Sequence, residues 1–185
     1  MDTEFGILRG IAAHEHALMR EWRNAPAVRR NMYTQHEISA EEHEQWWSAM
    51  LGRSDNQYFM YEYHGKPSGI VAFTNIDNIS SNSTWAFYAA EDAPKGTGSR
   101  MEFLALEYAF TKLNLHKLCC EVLAYNSPVI KLHQKFGFKI EGIFRNQHFI
   151  DNSYVDVYRL GILASEWAQG RELILQKLVM LNRSK

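Results

Sequence analysis

The sequence predicts an α+β chain: a mixed, mostly antiparallel seven-stranded sheet with helices packed against it. Three observations lead there. Two-residue alternation and helical periodicity succeed one another in the order strand, two helices, three strands, helix, strand, helix, two strands, helix. Short turns at His64-Gly65-Lys66-Pro67 and at Asp151-Asn152 join strand pairs as hairpins. No Pro/Gly/Ser-rich linker, low-complexity block or internal repeat interrupts the 185 residues, so residues 1–185 read as one domain with a closing helix over 165–185.

Each element has its own warrant. Phe5 to Ile11 is a first strand of mixed alternation, and His14 to Trp22 a helix with Glu15, Leu18, Met19 and Trp22 on one stripe. Asn24, Pro26 and the pair Arg29-Arg30 fall in a loop or short helix. Ser39-Ala40-Glu41-Glu42 reads as a capping box. The helix it opens carries His43, Trp46, Trp47 and Met50 at helical spacing, so His43 lies on the apolar stripe; Gly52 is its expected stop. Gln57 to Tyr63 and Ser68 to Asn75 form a hairpin, and Ser83 to Ala90 a further strand. A helix runs from about Ser99 to Leu113 with Met101, Leu104, Ala105 and Tyr108 inward. Lys117 to Leu123 is a strand, Ser127 then caps a helix begun by Pro128, and Phe138 to Phe149 pairs with Ser153 to Leu163.

Bulk properties narrow the function. Charged residues are 22% and the net charge is −1, so no broad field for nucleic acid is implied. The longest apolar runs fall short of a membrane span, and the acidic, polar start MDTEFGILRG does not read as a signal peptide. Cys119 and Cys120 are adjacent, so their side chains point to opposite faces of a strand and a disulfide between them is not expected; a reducing cytoplasm fits. The histidines are scattered without ligand spacing, so no metal is expected.

Two segments carry chemistry. Lys95-Gly96-Thr97-Gly98-Ser99-Arg100 lies between a strand and a helix. Glycine lets the backbone come close, free amides at the helix start point outward, and Lys95 and Arg100 add charge: together a seat for phosphate. A plain strand-to-helix turn explains the same residues equally well. The loop is neither a Walker loop nor a dinucleotide fingerprint. In NSPVIKLHQKFGF, from Asn126 to Phe138, one polar residue, His133, sits among Val129, Ile130 and Leu132. It is either a core histidine satisfied by a carbonyl or a proton donor. Glu121, on the preceding strand, is either a surface carboxylate or a general base acting through water; His43 is a second candidate base.

Taken together, the glycine loop and the Asn126-x-x-x-Ile130-x-Leu132-His133-x-Lys135-x-Gly137-Phe138 segment resemble the GCN5-related N-acetyltransferase (GNAT) superfamily, over nearly the whole chain to about Leu163. The resemblance implies acetyl-CoA as cosubstrate and direct acetyl transfer to an amine. It implies backbone contacts to the pantetheine arm from Phe87, Tyr88 and Ala89, a diphosphate seat from Lys95, Gly96, Thr97, Gly98, Ser99 and Arg100, and a pantetheine contact from Asn126. Two residues depart from the pattern: Ala93 replaces the usual Gln or Arg, and His133 replaces the tyrosine to which the acid role is commonly given.

Residues 22–47, WRNAPAVRRNMYTQHEISAEEHEQWW, are similar to the GNAT enzymes that acetylate a UDP-linked 4-amino-4,6-dideoxy sugar in bacterial pseudaminic acid synthesis. That likeness implies a nucleotide-sugar acceptor held by Arg23, Asn31, Met32 and His43, with Thr74, Asn75 and Tyr88 lining the site. Arginine suits diphosphate, and aromatic and Met side chains suit a base or sugar; a solvated basic patch is the plainer reading of Arg23, Arg29 and Arg30. The alternatives are an N-acetyltransferase of ribosomal-protein N-termini or polyamines, and a non-catalytic acyl-CoA-binding module. A monomer or homodimer is expected.

Overall fold

Residues 3–183 are described by a computed structural model, and alternation along its strands sorts the side chains into two cores. The strands are β1 (Ile7–Arg9), β2 (Gln57–Tyr63), β3 (Lys66–Asp77), β4 (Asn82–Ala89), β5 (Lys117–Leu123), β6 (Lys139–Ile150) and β7 (Ser153–Leu163). They form one seven-stranded sheet in the order β1-β2-β3-β4-β5-β7-β6. Every neighbouring pair is antiparallel except β4 and β5, which run parallel. Parallel neighbours need a crossover, and the helix α4 (Thr97–Thr111) supplies it.

One face of the sheet packs on α4, α5 (Ser127–Lys135) and α6 (Ala164–Arg183). Its core holds Tyr61, Val71, Phe73 and Trp85 from the strands against Phe103, Leu106, Ile130, Trp167 and Leu178 from the helices. The opposite face packs on α1 (His16–Asn24) and α3 (Ala40–Leu51), with Met60, Ile70 and Tyr88 against Met19, Trp22, Trp46 and Trp47. Met60 and Tyr61, side by side in β2, serve opposite cores, as strand geometry requires.

The strand and helix order is the expected one, with a short α2 (Pro26–Arg29) where a loop or short helix was expected. Several local expectations need correction. The first strand is shorter than expected. Ser39 Oγ accepts the Glu42 amide at 3.1 Å, but the Glu42 carboxylate bonds His36 rather than returning to the cap. Gly52 ends α3 in right-handed backbone, so a left-handed stop is not used. Asn126, not Ser127, occupies the cap position of α5. In α4 burial runs unbroken from Arg100 to Leu106, because sheet and α6 enclose it, so the expected single stripe is too narrow. The closing helix packs Trp167 and Leu178 into the core, and Ser184 and Lys185 of its expected span, like Met1 and Asp2, lie outside the described residues.

Candidate active site

The site begins where β4 and β5 part. Their parallel register joins Asn82, Ser83 and Thr84 to Lys117, Leu118 and Cys119 and then stops. Beyond it, β4 keeps its bonds to β3 through Phe87, Tyr88 and Ala89, and β5 keeps its bonds to β7, so the two strands turn unpaired edges towards each other. A cleft of ≈ 370 Å³ fills the gap, lined by Phe87 to Ala89, Cys120, Glu121, Asn126 and His133. Unpaired strand edges offer N–H and C=O groups to an extended amide-bearing ligand.

In the loop after β4 Gly96 takes φ 89°, a backbone that glycine adopts without a Cβ clash, and α4 starts; Gly98 there sits close to the Phe87 ring of the cleft. The Thr97 amide bonds Pro94 O; the amides of Gly98 and Ser99 have no backbone acceptor among the described residues. Free amides at a helix start suit an anion, as the sequence reading expects of this loop, and Lys95 is exposed beside them. The Thr97 hydroxyl turns inward onto Pro94 O at 2.7 Å. Arg100 is a correction. Its side chain is 2% exposed and points into the protein, donating to Tyr61 Oη, Pro94 O, Lys95 O, Thr97 Oγ1 and Asn182 Oδ1 and stacking on Tyr63. It holds the loop from behind and does not face the expected anion seat. Past the seat, Ser99, Lys135 and Lys177 share a depression of ≈ 410 Å³, two cations that the loop motif alone does not reveal. Asn126 makes no side-chain cap bond to α5, which leaves its carboxamide for the cleft.

His133 lines the cleft from α5. It is 2% exposed, ringed by Trp85, Phe87 and Phe138. Its Nδ1 lies 2.8 Å from Glu102 Oε1 on α4. Nε2 has no hydrogen-bond partner among the described residues. Burial pushes the Glu102 carboxyl up. Glu102 escaped the sequence reading because a single glutamate on a helix ordinarily faces water. Cys120 lines the same cleft, and burial holds its thiol well above the ordinary value, which makes it a poor nucleophile. Glu121 also reaches the cleft, but its oxygens are engaged by Tyr33 Oη at 2.8 Å and Arg159 Nη1 at 3.2 Å. A water activated by Glu121 therefore competes with both.

On the other side of β4 lies a second pocket of ≈ 310 Å³, lined by Met19, Arg23, Met32, His43, Trp46, Tyr58, Thr74 and Tyr88 among others. Tyr88 and Met32 line the cleft as well, so the two spaces adjoin. Of the residues expected to meet the acceptor, Arg23, Met32, His43, Thr74 and Tyr88 come together here. Asn31 lines the cleft between β4 and β5 instead. Asn75 is absent from both linings and exposed: an irregularity in β3 after Thr74 puts it at φ 52° and breaks the alternation that would have kept it in line. Burial lowers the His43 imidazole and raises the Tyr88 hydroxyl. Arg23 donates to Thr34 O at 3.0 Å, while its Nη1 is buried with no partner among the described residues. Among the described residues no cluster of His, Cys, Asp or Glu is placed to hold a metal ion, and no helix is long and apolar enough to cross a membrane.

Comparison with known proteins follows the same geometry. A family model described as an acetyltransferase (GNAT) domain matches residues 8–158. Spermidine N(1)-acetyltransferase of Escherichia coli K12 is 30% identical over 110 residues, 59% of this chain and 59% of that protein, so the chain spans about three fifths of the length of that curated relative. The crystal structure of spermidine N-acetyltransferase from Vibrio cholerae in complex with CoA and spermine superposes with a TM-score of 0.82 at 25% identity, over 88% of this chain and 97% of that one. A dodecameric structure of the Vibrio cholerae enzyme superposes with a TM-score of 0.75 at 25% identity, over 87% of this chain and 95% of that one, an assembly larger than the monomer or homodimer expected here. These likenesses favour the polyamine alternative over the nucleotide-sugar acceptor expected from residues 22–47.

Proposed function

The chain belongs to the GNAT acetyltransferase family, and on that premise we propose that it transfers the acetyl group of acetyl-CoA directly to a primary amine of a small molecule, with polyamines as the acceptor class. The parting of β4 and β5 carries this reading: it leaves a cleft edged by unpaired backbone and lined by a buried imidazole, with the free amides at the start of α4 following β4.

In this reading the amides of Gly98 and Ser99 and the charge of Lys95 receive the diphosphate. The edges of Phe87, Tyr88 and Ala89, with Asn126, hold the pantetheine arm. The amine enters from the pocket across β4 and attacks the thioester carbon. A strand N–H supports the developing oxyanion, the C–S bond breaks, and His133 Nε2 gives its proton to the departing thiolate. The amine loses its proton to water held near Glu121 or His43. The raised thiol of Cys120 speaks against an acyl-cysteine intermediate.

The polyamine assignment rests on the relatives. One observation favours a second reading, the nucleotide-linked amino sugar. The second pocket presents a half-buried arginine, Arg23, whose Nη1 is buried without a partner among the described residues, beside aromatic and Met side chains, with Glu42 the one carboxylate in its lining. A polycation gains little from that charge, whereas an anionic acceptor pairs with it.

CoA release measured with spermidine, with an N-terminal peptide and with a UDP-linked 4-amino-4,6-dideoxy sugar separates these readings. Spermidine is expected to turn over, with Arg23→Gln leaving its KM unchanged or lower. Turnover confined to the sugar nucleotide, with a KM raised about tenfold or more by Arg23→Gln, replaces the polyamine reading with the second. Tight CoA binding without turnover of any amine leaves an acyl-CoA-binding module.

A further inference from the structure

The acid role proposed for His133 needs a proton on Nε2 at neutral pH, deep in an apolar setting. We propose that Glu102 is the positioning residue that supplies this: Glu102 and His133 form a buried pair that holds two protons between them, one on Nε2 facing the cleft and one shared between Nδ1 and Oε1.

Three observations carry the inference. First, the pair is joined by a 2.8 Å hydrogen bond between α4 and α5, with Glu102 0% and His133 2% exposed. The bond fixes the ring so that the nitrogen left over is Nε2, on a residue lining the cleft. Second, the surroundings are apolar. Trp85, Phe87 and Phe138 ring the imidazole, and the titratable neighbour from β5 is Cys120, kept neutral by burial. Glu121, next along the strand, is exposed and engaged by Tyr33 and Arg159. With one proton the pair is a net anion without a further cation bonded to it; with two it is neutral. Removal from water penalises the net anion heavily, so the two-proton form is retained. Third, Glu102 Oε2 is buried with no hydrogen-bond partner among the described residues. A bare carboxylate oxygen there is costly, and sharing a proton with Nδ1 relieves it. The upward push on the Glu102 carboxyl agrees.

The proton balance closes. As the C–S electron pair moves to sulfur, the Nε2 proton goes to the thiolate and the shared proton settles on Nδ1, leaving neutral imidazole beside ionised Glu102. The proton lost by the amine, carried through water, restores the pair.

Nitrogen-15 spectra of the histidine-labelled protein at pH 7, with His133→Phe identifying the signal, are expected to show Nε2 of His133 bearing hydrogen; a bare Nε2 overturns the proposal. In the same way Glu102→Gln, which keeps a hydrogen-bonding group of the same shape, is expected to lower kcat about tenfold or more with the KM for acetyl-CoA within about twofold, and Glu102→Asp to fall between. Folded Glu102→Gln with parental kcat overturns it too. The spectrum needs neither acceptor nor variant activity, so a parent protein that acetylates no amine defeats the proposed function while the pair is still decided.

Discussion

At the scale of single residues, His133 concentrates the question, because its two readings predict different losses. As the acid, it contributes to the rate and little to binding. His133→Phe is therefore expected to lower kcat about a hundredfold while acetyl-CoA affinity, read by calorimetry, stays within about twofold; His133→Tyr keeps activity. Equal turnover of parent and His133→Phe removes the acid role. Glu15 allows a test of stability. It is buried, bonded by Arg9 through both oxygens and by the Ala12 amide, and these hold its carboxyl down at about 2. A carboxyl lower in the folded than in the unfolded chain stabilises above its unfolded value, and that contribution fades as pH falls towards about 2. The melting temperature of Glu15→Gln is expected to lie well below the parent's at pH 7, with the gap narrowing once pH drops below the unfolded carboxylate range and closing only towards about 2. Residue identity told part of this in advance. His133 stood out as polar on an apolar stripe, but its partner Glu102 did not, since contact between α4 and α5 is not written in either helix. Arg100 was misread for the same reason: a cation in a glycine loop suggests phosphate, while Tyr61 and Asn182, which claim it, are far away in sequence.

At the scale of elements, local signals worked where one face decides. β2 and β5 coincide with their expected bounds because each alternates between two packed faces, and β3 and β4 differ by a few residues at their ends. Burial on all sides hides the period of α4, and the irregularity after Thr74 displaces Asn75. The start of α4 has a testable backbone. Gly96 at φ 89° sets the direction in which the Gly98 and Ser99 amides point. Gly96→Ala places a Cβ in left-handed backbone at a cost of about 1 kcal/mol. Urea unfolding is expected to show that loss, and calorimetry a weaker affinity for acetyl-CoA. Unchanged affinity argues against the amides as the diphosphate seat.

At the scale of the molecule, Arg100 ties distant parts together. Through one guanidinium the loop before α4, the strand β2 and the far end of α6 meet behind the proposed anion seat. Arg100→Met keeps the volume and removes all the bonds the guanidinium donates, so a loss of about 3 kcal/mol in urea unfolding is expected. A change under about 0.5 kcal/mol leaves the tie without importance. None of this long-range closure was legible from the chain, whereas the hairpins β2-β3 and β6-β7 were, because short turns dictate those neighbours; the crossovers through α4 and α5, which place β5 beside β4 and β7 between β5 and β6, were not.

The short seam at Asn82–Thr84 makes the sheet two leaves on a common spine, β1 to β4 on one and β5 to β7 on the other. A guest whose amides bridge the opening laces the leaves into one continuous ladder. On the proposed mode of CoA binding, deuterium uptake at Phe87 to Ala89 and at Val122 to Leu123 is expected to slow together, on both banks at once, so that the protein's rigidity reports whether its slot is filled.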